Sequence, residues 1–78
     1  AGCIFKNPKG KSAGRLIDEC GFKGKRLGSA LVSPKHANFI LNRSNAKYSD
    51  ISKLIKIIKK SVKRKFGITL ETEIINWR

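Results

Sequence analysis

An α+β fold is predicted for this chain: a small mixed β-sheet with two helices on one face, in the order β-α-β-β-α-β. Three observations predict it. Ile51, Leu54, Ile55, Ile58, Val62 and Phe66 recur at helical spacing, which marks an amphipathic helix of about four to five turns. A second, shorter helical stripe runs through Ala13, Leu16, Ile17 and Cys20. Short apolar runs bounded by Gly, Pro and Asn fill the rest, the pattern of strands joined by turns. A sheet covered on one face buries both stripes.

Taken in order, residues 2–7 alternate weakly around Ile4 and Phe5 and predict a first strand, ended by Asn7-Pro8. Lys9-Gly10-Lys11 is a turn. Ser12 suits the N-cap of the first helix, and Gly21 its C-terminal stop. Residues 24–29 are basic and punctuated by glycine, the composition of a loop. Ala30-Leu31-Val32 and Phe39-Ile40-Leu41 read as strands, separated by the Ser33-Pro34-Lys35-His36 turn. Residues 42–47 form a polar connection. The long helix starts near Tyr48 or Ser49 and stops at Gly67. Asp50 near its start and Lys63, Arg64 and Lys65 near its end each suit the helix dipole. Residues 68–77 alternate enough for a last strand.

Seventy-eight residues, 40% of them hydrophobic, allow one domain with a modest core. No apolar run approaches the roughly 20 residues that span a bilayer, and no secretory signal opens the chain. The chain has no Met and reads as a piece of a longer protein with an N-terminal portion missing. Two cysteines and one histidine, without a C-x-x-C pair, exclude the common metal-site patterns and suit a reducing compartment. The cytoplasm is the expected location.

Eighteen Lys and Arg against five acids give a net charge of +13, a field that attracts anions. Lys53, Lys56, Lys60 and Lys63 form a stripe on the long helix, with Lys59 and Arg64 beside it. A nucleic-acid module would use that stripe for phosphates, and its affinity would fall steeply with salt. No helix-turn-helix spacing, zinc ligands or aromatic-studded strand accompanies it, so a solvated outer face is the simpler expectation.

Two groups stand out chemically. Cys3 follows Gly2, whose backbone can turn closely past a ligand. Its thiol is either a small buried hydrophobe or a weak acid, protonated at neutral pH and able to deliver a proton. Glu71 and Glu73 are the tight carboxylate pair of the sequence, and both fall on one face of the last strand. Apolar neighbours Leu70, Ile74 and Ile75 offer Glu73 a desolvating setting, against the plain reading of a solvated edge carboxylate. Asn7 is either a turn former before Pro8 or a polar contact. Lys6 can meet a phosphate, His36 is an exposed or ligand-touching imidazole in a turn, and Asn38 ties that turn down. Cys20 reads as structural.

Four segments in register carry a resemblance. They are Ala1-Gly2-Cys3-Ile4-Phe5-Lys6-Asn7-Pro8, Ser12-Ala13-Gly14-Arg15-Leu16-Ile17-Asp18-Glu19-Cys20-Gly21, Val32-Ser33-Pro34-Lys35-His36-Ala37-Asn38-Phe39-Ile40-Leu41-Asn42 and Phe66-Gly67-Ile68-Thr69-Leu70-Glu71-Thr72-Glu73. In this order they resemble the C-terminal domain of UDP-N-acetylenolpyruvoylglucosamine reductase, over essentially the whole of residues 1–78. The resemblance implies an oxidoreductase that uses FAD and NADPH to make UDP-N-acetylmuramate for bacterial peptidoglycan. It implies that FAD is bound by an N-terminal part absent from this chain, so the fragment alone is inactive.

By the same resemblance, Cys3 occupies the place of the usual proton-donating serine, and Glu73 that of the glutamate that stabilises the enolate. Asn7 and His36 match substrate-side positions, while Lys6 is a candidate by its charge alone. The implied partners are a nucleotide-sugar substrate and the FAD-binding remainder of the polypeptide, with no membrane. A truncated remnant of the reductase would carry the same motifs. One departure is Ile75, where the family usually has arginine: either Arg78 substitutes for it or that contact is lost.

Overall fold

The computed structural model describes residues 4–42 and 48–73. Five elements run in the order α1 (Ala13–Glu19), β1 (Arg26–Leu27), β2 (Ala30–Val32), β3 (Ile40–Asn42) and α2 (Tyr48–Phe66). The class is α+β, as the patterning predicts. The sheet, however, is antiparallel throughout these strands rather than mixed, in the order β1-β2-β3. Consecutive strands joined by short turns pair directly with one another, which leaves no place for a parallel crossover.

Helix α1 forms where its caps dictate. The Ser12 hydroxyl accepts the Arg15 N–H at 3.2 Å, and the Asn7 Oδ1 accepts the Ala13 N–H at 2.9 Å. Two donors of the first turn, which have no partner within the helix, are thereby satisfied. At the other end Gly21 adopts φ +81°. Its N–H reaches the Asp18 carbonyl, and the Phe22 N–H reaches that of Ile17. This paired closure is a Schellman motif, and Phe22 joins Leu16 and Ile17 in the core as that motif favours.

Residues 24–29 are not simply a loop. Arg26 and Leu27 form β1, which pairs Leu27 with Ala30 and Arg26 with Leu31 across a two-residue turn. Gly28 opens that turn at φ +60°, the left-handed geometry such hairpins need. It also lies against the Asp50 carboxylate of α2, close enough that a Cβ there would collide with it. The next hairpin pairs Val32 with Ile40 and Ala30 with Asn42, one residue beyond the strand limit expected from sequence.

The buried face of the sheet carries Ala30, Val32 and Ile40. Helix α2 packs on β1 and β2, and α1 packs on α2. Ile51, Leu54, Ile58 and Val62 supply the buried stripe of α2, while Ile55 and Phe66 flank it half-buried. Gly67 closes α2 at φ +71°, its N–H on the Lys63 carbonyl at 2.8 Å. The Lys65 ammonium donates to the Glu19 carbonyl at 2.8 Å, tying the end of α2 to the end of α1.

The two expected outer strands meet in a single antiparallel bridge, Phe5 with Thr72. The Lys6 N–H donates to the Glu71 carbonyl and the Glu73 N–H to the Ile4 carbonyl, both at 2.8 Å. The remainder of the last predicted strand lies outside the described residues. Ile4 and Phe5 are both buried, which explains why the sequence alternates so weakly there.

Gly28→Ala is expected to destabilise the fold more than Gly10→Ala. Gly10 also has positive φ but nothing within 4 Å of a Cβ, so its cost is backbone strain alone, about 1–2 kcal/mol. Denaturant titration checks the ranking, and adding Asp50→Ala to Gly28→Ala should close the gap.

Candidate substrate site at the joined ends

The Phe5–Thr72 bridge organises the site. In this pairing the N–H and C=O of Phe5 point away from Thr72, towards Asn38. The Phe5 N–H donates to Asn38 Oδ1 at 3.0 Å, and Asn38 Nδ2 donates to the Phe5 carbonyl at 2.9 Å. The Ile4 N–H adds a bond to the Asn38 carbonyl at 2.9 Å. A side-chain amide thus takes the place of a neighbouring strand. Asn38 is only 7% exposed, and both ends of its carboxamide are satisfied.

Asn38 sits on a stiff turn. The Ser33 hydroxyl accepts the N–H groups of Lys35 and His36, each at 3.2 Å. The Ser33 N–H bonds the Phe39 carbonyl and the Phe39 N–H bonds the His36 carbonyl. Asn38 therefore does more than tie its own turn, since it fixes a segment 33 residues away. The sequence did hold a signal: a lone amide between Ala37 and the apolar run Phe39-Ile40-Leu41 needs buried partners.

The predicted site residues fall as follows. Cys3 lies outside the described residues, as do Ile75 and Arg78; Ile4, next to Cys3 in the chain, shares a backbone bond with Glu73. The Glu73 side chain is exposed, so the desolvation expected from its neighbours is not supplied by the described residues. Glu71 is exposed as well.

Lys6 and Asn7 share a pocket of about 240 Å³ with Pro8, Lys9, Thr69 and Glu71. Two ammonium groups and an amide against one carboxylate favour an anionic ligand there. Lys9 and Thr69 were not singled out from sequence, and Glu71 only as the partner of Glu73, because only the fold brings residues 69–71 beside residues 6–9. Asn7 keeps both of its readings, since its Oδ1 caps α1 while the residue lines the pocket. His36 lies outside that pocket, exposed, its ring 5.6 Å from that of Phe39.

A larger hollow of about 420 Å³ opens between α1 and the end of α2, floored by Leu16, Phe66 and Ile68. None of the candidate residues lines it. Cys20 is half-buried at the end of α1; burial pushes its thiol up, against the nearby Lys65 ammonium, and Glu19 adds to the rise.

Lys53, Lys56, Lys60, Lys63 and Arg64 are exposed on α2. Among the described residues the ion pairs are Arg15–Glu19 and Lys23–Asp18, and neither involves α2. No helix among them is long and apolar enough to cross a membrane.

Fold and site together define a small α+β domain with a basic pocket where its first and last segments meet. Residues 1–77 match the family model for the C-terminal domain of UDP-N-acetylenolpyruvoylglucosamine reductase. The reductase of Fusobacterium nucleatum is 54% identical over 74 residues, covering 95% of this chain and 26% of the relative. That of Chlamydia abortus is 53% identical over 73 residues, covering 94% and 24%. The crystal structure of the reductase from Thermus caldophilus superposes with a TM-score of 0.80 at 45% identity, covering 99% of this chain and 27% of that one. The chain belongs to the UDP-N-acetylenolpyruvoylglucosamine reductase family and corresponds to its C-terminal domain. It spans about a quarter of the length of the curated relatives it matches.

Asn7→Ala is expected to lower the unfolding free energy by about 1 kcal/mol through the lost cap, whereas Asn7→Asp keeps the acceptor and the stability. If both variants also raise KM for the nucleotide substrate in the full-length enzyme, the amide contacts substrate in addition to capping α1.

Proposed function

We propose that this domain is the substrate-binding and proton-donating part of a cytoplasmic flavoenzyme. That enzyme reduces UDP-N-acetylglucosamine enolpyruvate to UDP-N-acetylmuramate with NADPH, for peptidoglycan synthesis. The observation that carries the reading is the Glu73 N–H to Ile4 carbonyl bond, in a chain matched to the family from residue 1 to 77. It joins the segment that follows Cys3 to the segment that ends in Glu73.

The described residues do not fit FAD. A dinucleotide diphosphate favours a helix N-terminus free of negative charge. The first turn of α2 carries Asp50 against Gly28, and α1 has only seven residues. The flavin is assigned to the remainder of the polypeptide; bound and reduced there, it would supply the hydride equivalent that the enolpyruvyl double bond takes up.

This chain's own residues then have three tasks. Lys6, with Lys9 beside it, meets the negative diphosphate of the nucleotide at the 240 Å³ pocket, and Asn7 orients it. His36 contacts the substrate from the 33–39 turn. Glu73, in its carboxylic-acid form once substrate and the rest of the enzyme close over it, donates its O–H to the enolpyruvyl carboxylate as charge develops there. Cys3 protonates the inner carbon: its S–H bond breaks as the C–H bond forms, and solvent reprotonates the thiolate. The products are the lactyl ether and NADP.

In the full-length enzyme, Cys3→Ser should keep most activity while Cys3→Ala loses about 100-fold or more, the usual share of a positioned acid. A Cys3→Ala enzyme as fast as its parent would place the proton source elsewhere. The isolated 78-residue chain should bind no FAD, which flavin absorbance after gel filtration tests directly.

A further inference from the structure

We infer that Asn38 is the positioning residue for proton delivery, holding residues 4–6, which follow Cys3 in the chain, against residues 71–73; the inference rests on the reading just given. Every backbone hydrogen-bonding group from the Ile4 N–H to the Lys6 N–H has one partner. The Ile4 N–H, the Phe5 N–H and the Phe5 carbonyl go to Asn38. The Ile4 carbonyl and the Lys6 N–H go to residues 73 and 71. Asn38 thus makes three of these five bonds, and they begin at the residue after the proton donor.

The geometry is demanding in a way that suits such a task. A one-bond anchor would let the segment pivot, whereas donor and acceptor of one carboxamide on the two peptide groups that flank Phe5 fix its rotation as well. The anchor is itself braced by the Ser33 hydroxyl and the 33–39 turn. A Cβ on Gly14 of α1 would stand 3.7 Å from the Asn38 Cβ, so α1 runs close beside the turn. The same turn carries His36, so one rigid element serves the proton-donor segment and a substrate-side residue together. Reaction rates depend steeply on such placement, because a displacement near 1 Å costs about 100-fold.

The test uses the full-length enzyme and separates its half-reactions by stopped flow. Asn38→Ala should slow flavin reoxidation by the enolpyruvyl nucleotide about 10- to 100-fold, leaving flavin bleaching by NADPH unchanged. The slowed phase should show a larger solvent deuterium isotope effect than the parent, because proton delivery becomes limiting. Asn38→Asp keeps the volume and the acceptor but puts a carboxylate oxygen against the Phe5 carbonyl. It should move both readouts in the same direction, and it serves if the Ala variant does not fold. Equal slowing of both half-reactions, or a parental isotope effect, would reduce Asn38 to a structural residue and overturn the inference. A Cys3→Ala enzyme that reoxidises at the parental rate would instead sink the reading of Cys3 itself, whatever Asn38 does.

Discussion

The Asn38 carboxamide on the Phe5 peptide is the interaction on which the rest of this domain depends. A segment with both Ile4 and Phe5 buried cannot leave its peptide groups unpaired, since each orphaned group costs about 1–3 kcal/mol. The antiparallel bridge to Thr72 satisfies only one edge of that segment. A third strand on the other edge would need a further connection in a chain of 78 residues. One amide supplies the same donor and acceptor, and it does so from a turn that the β2–β3 hairpin already requires.

The helices work to the same end by different means. Helix α2 is the spine, its buried stripe lying on β1 and β2 with α1 packed against it. Chain reversal after each helix is left to Gly21 and Gly67, whose positive φ lets the backbone turn back towards the core. The Gly28–Asp50 contact locks the first hairpin to the start of α2. Lys53, Lys56, Lys60, Lys63 and Arg64 stay exposed on α2, where their charge costs little desolvation.

The parts of this fold that were legible in the sequence are those written locally. Both helices show in apolar residues three and four apart, and their limits in Ser12, Gly21 and Gly67. β1 was hidden because Arg26 and Leu27 are too short a run to alternate, and the surrounding lysines read as loop. The first strand was blurred because both Ile4 and Phe5 are buried, which removes the period of two. The reach of Asn38 could not be read, because a bond across 33 residues leaves no local pattern. For the site, Asn7 was legible through the resemblance and Lys6 by its charge, whereas Thr69 and Glu71 enter the pocket only by tertiary pairing. The apolar neighbours of Glu73 suggested a dry setting, yet its side chain is exposed, and of those neighbours only Leu70 lies among the described residues, itself buried.

The pairing of residue 5 with residue 72 also says something about time. Closing so long a loop is entropically the most demanding contact in the chain, and it is rewarded only after the helices and hairpins have shortened the effective path. The pocket draws Lys6 and Asn7 from one side of that closure and Thr69 and Glu71 from the other. The pocket therefore depends on a contact between residues far apart in sequence, and a chain that has not made that closure has its helices and hairpins but not the pocket.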